Sequence, residues 1–115
     1  MDQLASSKHV EKHSKFYGYL YTIKDAREMR AVIDIVSCSH KKACHICYGA
    51  IVDGEMMFKN DGEVGMPGKQ LLSLLEHHQL DNHVLIVARI FGRVKLGPAG
   101  VGRAFKEAGK RCLEN

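Results

Sequence analysis

VLIVARIFGRVKLGPAGVGRAFKEAGK, residues 84–110, decides how this chain folds. The run Val84–Val87 is apolar at successive positions, as in a strand covered on its surfaces, and it ends in Arg89 within a strand that reads to Ile90. Gly92 releases the chain. Gly97, Gly100 and Gly102 then form a glycine-rich turn that leads into a helix. Val101, Phe105, Ala108 and Cys112 recur at i, i+4, i+7 and i+11, so the last element is an amphipathic helix. Arg93, Lys95 and Arg103 bracket the turn. Cations beside the outward-pointing amides of a helix start point to an anion: a phosphate, a carboxylate or an acidic protein face.

Working outward, Phe16 to Ile23 alternates, with Tyr17, Tyr19 and Tyr21 on one face, and reads as a strand. Asp25 is placed to cap a helix, with Glu28 reaching back and Met29, Val32, Ile33 and Val36 at helical spacing. His45 to Val52 reads as a second strand. Asp53-Gly54 turns it into a hairpin through Met56, Met57 and Phe58. After an irregular loop, Pro67 starts a helix that presents Leu71, Leu74, Leu75 and His78 on one face. The order β-α-β-β-α-β-α predicts an α+β fold: a two-layer α/β sandwich, a mixed sheet of about four strands with the helices on one face. Residues 1–13 read as a flexible arm or an edge strand, and 14–115 as a single domain.

The chain has 115 residues and a formal net charge of +4, which permits nucleic acid as a partner without requiring it. No apolar run approaches the roughly 20 residues that span a bilayer, and the N-terminus has no signal-type apolar core. A cytoplasmic protein with reduced thiols at Cys38, Cys44, Cys47 and Cys112 is the expectation, with no membrane partner.

Five kinds of chemistry are weighed against blander readings. Cys38, His40, Cys44, His45 and Cys47 are zinc-type ligands, but no C-x-x-C pair faces a second one, so structural thiols are expected and no metal or cofactor. Gly62 to Gln70 imitates a phosphate loop with one residue too many and no hydroxyl after Lys69. Cys47 and His45, at i and i+2, share a strand face with Asp61 in a nearby loop, a nucleophile–base pattern that spacing alone does not establish. Asp61 and Glu63 flank Gly62, a carboxylate pair with the donors for magnesium or for acid–base work that reads more simply as a turn. An ion pair from one of them to the Arg89/Lys95 region would hold that loop over the glycine-rich turn. The tyrosine stripe is read as half-buried strand residues rather than a base-stacking platform.

These residues carry a resemblance. Ala43-Cys-His45-Ile-Cys47-Tyr48, Asn60-Asp61-Gly62-Glu63, and Arg89-Ile-Phe91-Gly92-Arg-Val-Lys95-Leu96-Gly97 running on to Gly100, Arg103 and Phe105 resemble the ordered motifs of the Impact/YigZ family. The likeness extends from about Ser14 to Ala108. Asn60 stands where the family has a first Asp, and Arg93 where it has a second Gly. The resemblance implies a fold similar to domain 2 of ribosomal protein S5. It also implies regulation of translation under amino-acid starvation through a ribosome-associated kinase activator, and a link to monomeric actin. Activator binding in eukaryotic members rests mainly on an RWD domain, and bacterial relatives add a ferredoxin-like domain. These residues read as the family domain alone.

The expected function is a non-enzymatic protein-binding module of translation regulation. The alternatives are an RNA- or ribosome-binding domain, or an enzyme acting on a phosphorylated small molecule. The expected contact groove comprises His45, Asp61, Gly62, Glu63, Arg89, Gly92, Lys95, Gly97, Gly100 and Arg103, with no catalytic or metal residue assigned.

Overall fold

The computed structural model describes residues 1–114. Its elements are β1 (Gln3–Glu11), β2 (Ser14–Thr22), α1 (Ala26–Ser39), β3 (His45–Val52), β4 (Glu55–Lys59), α2 (Pro67–His77), β5 (His83–Ile90) and α3 (Gly97–Leu113). The strands form one open sheet in the order β1-β2-β5-β3-β4, and every neighbouring pair is antiparallel.

The α+β character is as the sequence predicts. Three particulars differ. The sheet has five strands, because residues 3–11 pair with β2 through a tight Lys12-His13 turn in which both residues have positive φ (45° and 70°). It is antiparallel throughout rather than mixed, because β5 sits between β2 and β3 and runs against both. The helices also lie on both faces. Leu85 and Val87 of β5 join the core under α2 and α3, with Phe16, Leu71, Leu75 and Phe105. Val84, Ile86 and Ala88 join a second core under α1, with Val32 and Val36. A central strand apolar on both pleat faces needs cover on both, and α1 supplies the second.

The tyrosine stripe lies under α1. Tyr21 is buried, Tyr17 stacks on His40 with ring centroids 4.6 Å apart, and the Tyr19 hydroxyl donates to His40 Nε2. Loss of solvent lowers the pKa of His40 and raises that of Tyr19, so both shifts favour the neutral pair that this hydrogen bond needs.

Local signals explain the ends of the elements. Asp25 Oδ1 accepts from the Glu28 amide at 3.0 Å, and Glu28 Oε1 accepts from the Lys24 amide at 2.9 Å. Helix α2 lies directly on β3. A Cβ on Gly49 would fall 2.3 Å from the Leu72 amide nitrogen, so only glycine lets the two backbones approach. No helix among the described residues is long and apolar enough to cross a membrane.

Candidate functional site

Arg89 closes β5 on the α2/α3 side of the sheet and is 5% exposed. Its guanidinium lies 5.6 Å from the Phe16 ring centroid and 5.4 Å from that of Phe91. Nη1 donates to Glu63 Oε2 at 2.9 Å, and Nη2 makes a longer contact to Ser14 Oγ at 3.4 Å. Ser14 Oγ also accepts from the Gly92 amide at 3.1 Å. Among the described residues, Arg89 Nε has no hydrogen-bond partner. A buried cation without its counter-ion is strongly destabilising, so Glu63 is what makes this arginine tolerable inside the fold.

Glu63 reaches Arg89 because the loop 60–66 is braced against β3. β4 pairs with β3 only from Tyr48 onward, which leaves the amide of Ile46 without a strand partner on that side. The Asp61 carboxylate takes that place, accepting from Ile46 N at 2.8 Å. His45 Nδ1 donates to Asp61 O at 2.7 Å, and Lys59 Nζ lies 3.5 Å from Asp61 Oδ1. Asn60 Oδ1 accepts from the Lys69 amide in the first turn of α2, a helix whose N-cap, Met66, offers no side-chain cap. Cys47 Sγ donates to Asn60 O at 3.2 Å. Burial first, and then the carboxylates of Asp61 and Glu63, push its thiol pKa far above the ordinary range.

The ten residues expected to share a groove fall into two groups. His45, Asp61, Glu63 and Arg89 are brought together as one network, with Gly62 exposed at its tip (φ 71°). Gly92 serves the fold: a Cβ there would meet the His13 carbonyl carbon at 2.1 Å. Lys95, Gly97, Gly100 and Arg103 belong to the loop 91–96 and the start of α3. There a small cavity of about 130 Å³ is lined by Glu11, Lys12, Leu96, Gly100 and Arg103, without Lys95. The expected glycine-rich turn is already helix, since α3 begins at Gly97. Gly102 is buried in it, with Gln70 Nε2 2.5 Å from where a Cβ would stand.

Residues 12–113 match the family described as the Impact N-terminal domain. The chain belongs to the Impact family. An IMPACT family member of Haemophilus influenzae is 30% identical over 109 residues, covering 90% of this chain and 53% of that protein. An IMPACT family member of Thermus thermophilus, described as lying in the pol 5′ region, is 35% identical over 80 residues, covering 70% of this chain and 45% of that protein. The chain thus spans about half the length of these curated relatives. A crystal structure of a hypothetical protein superposes with a TM-score of 0.90 at 23% identity, covering 95% of this chain and 56% of that one. The two-domain translational regulator Yih1 superposes with a TM-score of 0.59 at 21% identity, covering 96% and 45%. These two likenesses speak for the fold.

Within this Impact-family domain, several residues at the site gave little or no signal in the sequence. Ser14 heads a strand whose inward positions continue through Phe16, and that alternation is the one clue to its burial. Val64, Met66, Phe91 and Val94 stand exposed on the loops that converge at the Glu63–Arg89 pair. Gly65 sits against Pro98 of α3, where a Cβ would lie 2.3 Å from the Pro98 carbonyl oxygen. Loop 60–66 is therefore fixed at two points to the elements that bracket loop 91–96, ionically to Arg89 at the end of β5 and by backbone contact to Pro98 at the start of α3.

Proposed function

We propose that this Impact-family domain is a non-catalytic binding module of translation regulation that works through protein contacts, at the end of the molecule where loops 60–66 and 91–96 meet. One observation carries the reading. Val64, Met66, Phe91 and Val94 are exposed there, interleaved with exposed Lys69, Arg93, Lys95 and Arg103. Exposed apolar side chains on pre-ordered loops favour association, and interspersed cations select an acidic partner surface.

The same network argues against the other readings. Arg89 is already neutralised by Glu63, and the Cys47 thiol is held in its neutral form, so neither supplies a free cation or a nucleophile. The tyrosine rings that would stack bases face α1. The family resemblance directs attention to translation-stress factors and monomeric actin as partner classes. Yih1, a fold neighbour, is described as a translational regulator.

The test is capture from native lysate with and without nuclease, comparing the wild-type domain with Phe91→Ser/Val94→Ser. The expected result is a defined set of translation proteins or actin that survives nuclease and is lost with the double substitution. Recovery that depends on intact RNA, or that is unchanged in the variant, refutes the reading.

A further inference from the structure

Cys44, His45 and Glu63 form a cluster that the partner surface does not use. Cys44 Sγ, an imidazole nitrogen of His45 and a carboxylate oxygen of Glu63 all lie within 4.8 Å of one another. His45 Nδ1 is 2.7 Å from the Asp61 carbonyl oxygen. A carbonyl only accepts, so Nδ1 carries the hydrogen, and in the neutral ring Nε2 presents a lone pair. That lone pair faces Glu63 Oε2 at 3.7 Å, with the Cys44 sulfur beside them. Arg89 occupies one lone pair of Oε2; the Nε2 lone pair, the second lone pair of Oε2 and the sulfur remain to be bridged, by a proton or by a metal ion.

The spacing favours the metal. A shared proton would draw nitrogen and oxygen to about 2.7–3.2 Å. Two ligands on a tetrahedral ion, bonded at about 2.0–2.3 Å, stand roughly 3.3–3.8 Å apart. His45 and Glu63 already have that separation. Cys44 is exposed and lies just before β3; its thiol donates to the Arg89 carbonyl oxygen at 3.4 Å, a weak bond that metal ligation as thiolate would replace.

The surroundings are those that orient ligands. An imidazole donating its other N–H to a backbone carbonyl is fixed in tautomer and direction. Glu63 is held on Oε2 by Arg89 at 2.9 Å and on Oε1 by the Val64 amide at 3.0 Å. A cavity of about 180 Å³, lined by Cys44, His45, Lys59 and Asp61 among others, adjoins two of the three ligands.

We propose that Cys44, His45 and Glu63 bind a divalent transition-metal ion of the zinc class, with the fourth position open to water. One sulfur, one nitrogen and one oxygen donor suit zinc and not the all-oxygen preference of magnesium or calcium. This set differs from the cysteine–histidine grouping weighed and set aside in the sequence. Cys38, His40 and Cys47 take no part, and the third ligand arrives from a loop 18 residues beyond His45. Bound metal would tie loop 60–66 to the start of β3.

The test uses the metal-stripped chain titrated with cobalt(II) and then zinc(II). One equivalent of cobalt should give a thiolate-to-cobalt charge-transfer band that zinc displaces. Cys44→Ser should abolish that band and weaken zinc binding by at least about tenfold, as should His45→Asn, whereas Cys38→Ser leaves both unchanged. A second measurement needs no variant. Cys38 and Cys44 are both exposed thiols. Zinc should slow alkylation of Cys44 at least about tenfold, read by peptide mass mapping, with Cys38 as the internal control. A cobalt spectrum indifferent to Cys44→Ser, or equal labelling of Cys44 with and without zinc, overturns the proposal in favour of a shared proton.

Discussion

Glu63→Ala should be the most damaging single charge removal in this domain. The side chains of Glu63 and Arg89 are 5% and 6% exposed and meet at 2.9 Å. After the substitution the guanidinium keeps a long contact to Ser14 Oγ and two aromatic faces, with Nε already unpartnered among the described residues. Breaking a buried pair on one side costs about 3–5 kcal/mol. Against a total of about 5–15 kcal/mol that is a large share. For a domain of this size it lowers Tm by roughly 12–20 °C. The assay is urea unfolding followed by far-ultraviolet circular dichroism, with chelator present so that bound metal does not contribute. The midpoint should fall at nearly constant slope. Glu63→Ala combined with Arg89→Met removes both charges and should return to within about 2 kcal/mol of wild type. A loss below about 1 kcal/mol in the single variant means that the pair behaves as a solvated surface contact. The claim that it holds loop 60–66 to the end of β5 would then fail.

Three further outcomes follow from particular residues. Gly49→Ala forces α2 away from β3, because the new methyl falls 2.3 Å from Leu72 N and 2.5 Å from Leu72 Cα; a loss of about 3 kcal/mol or failure to fold is expected in the same unfolding assay. Arg93 occupies the left-handed region at φ 69° without being glycine, so Arg93→Gly should raise stability by about 1 kcal/mol while removing a cation from the partner surface, read by thermal melting. His40 has a folded-state pKa depressed by burial against the tyrosines, so the unfolded chain takes up its proton first as pH falls. Its stabilising contribution is intact above the ordinary imidazole value, declines as pH drops from there through the lower folded value, and then stays lost. Replacing it, as His40→Asn, should remove that part of the acid limb in stability measured across pH.

What the sequence disclosed depended on whether the signal was local. The apolar run of β5, the Asp25 cap and the Asp53-Gly54 hairpin each lie within a few residues of what they specify, and all three are present. Of the arm and the edge strand open for residues 1–13, the structure has the edge strand; the Lys12-His13 turn that pairs it was opaque because it lacks the Gly or Asn usual at positive φ. Periodicity showed that α1 has an apolar stripe but not which sheet face it covers; the two-sided burial of β5 settles that. An ion pair between loop 60–66 and the Arg89 region was open from charge alone, although the choice of Glu63 over Asp61 depends on the unpaired Ile46 amide that draws Asp61 away. The expected groove divided because Gly97 to Gly102 are helix, with Gly102 small to accommodate Gln70. Cys44 was hidden among five candidate ligands until the fold brought Glu63 beside it.

The central claim is that loops 60–66 and 91–96 form the partner surface. A photo-crosslinking amino acid at position 91, compared with one at exposed position 56 on the edge strand β4, tests it most directly in nuclease-treated native lysate. The account predicts a discrete protein adduct from position 91 and none from position 56. Equal adducts from both positions, or adducts with nucleic acid alone before nuclease and none after it, would contradict it.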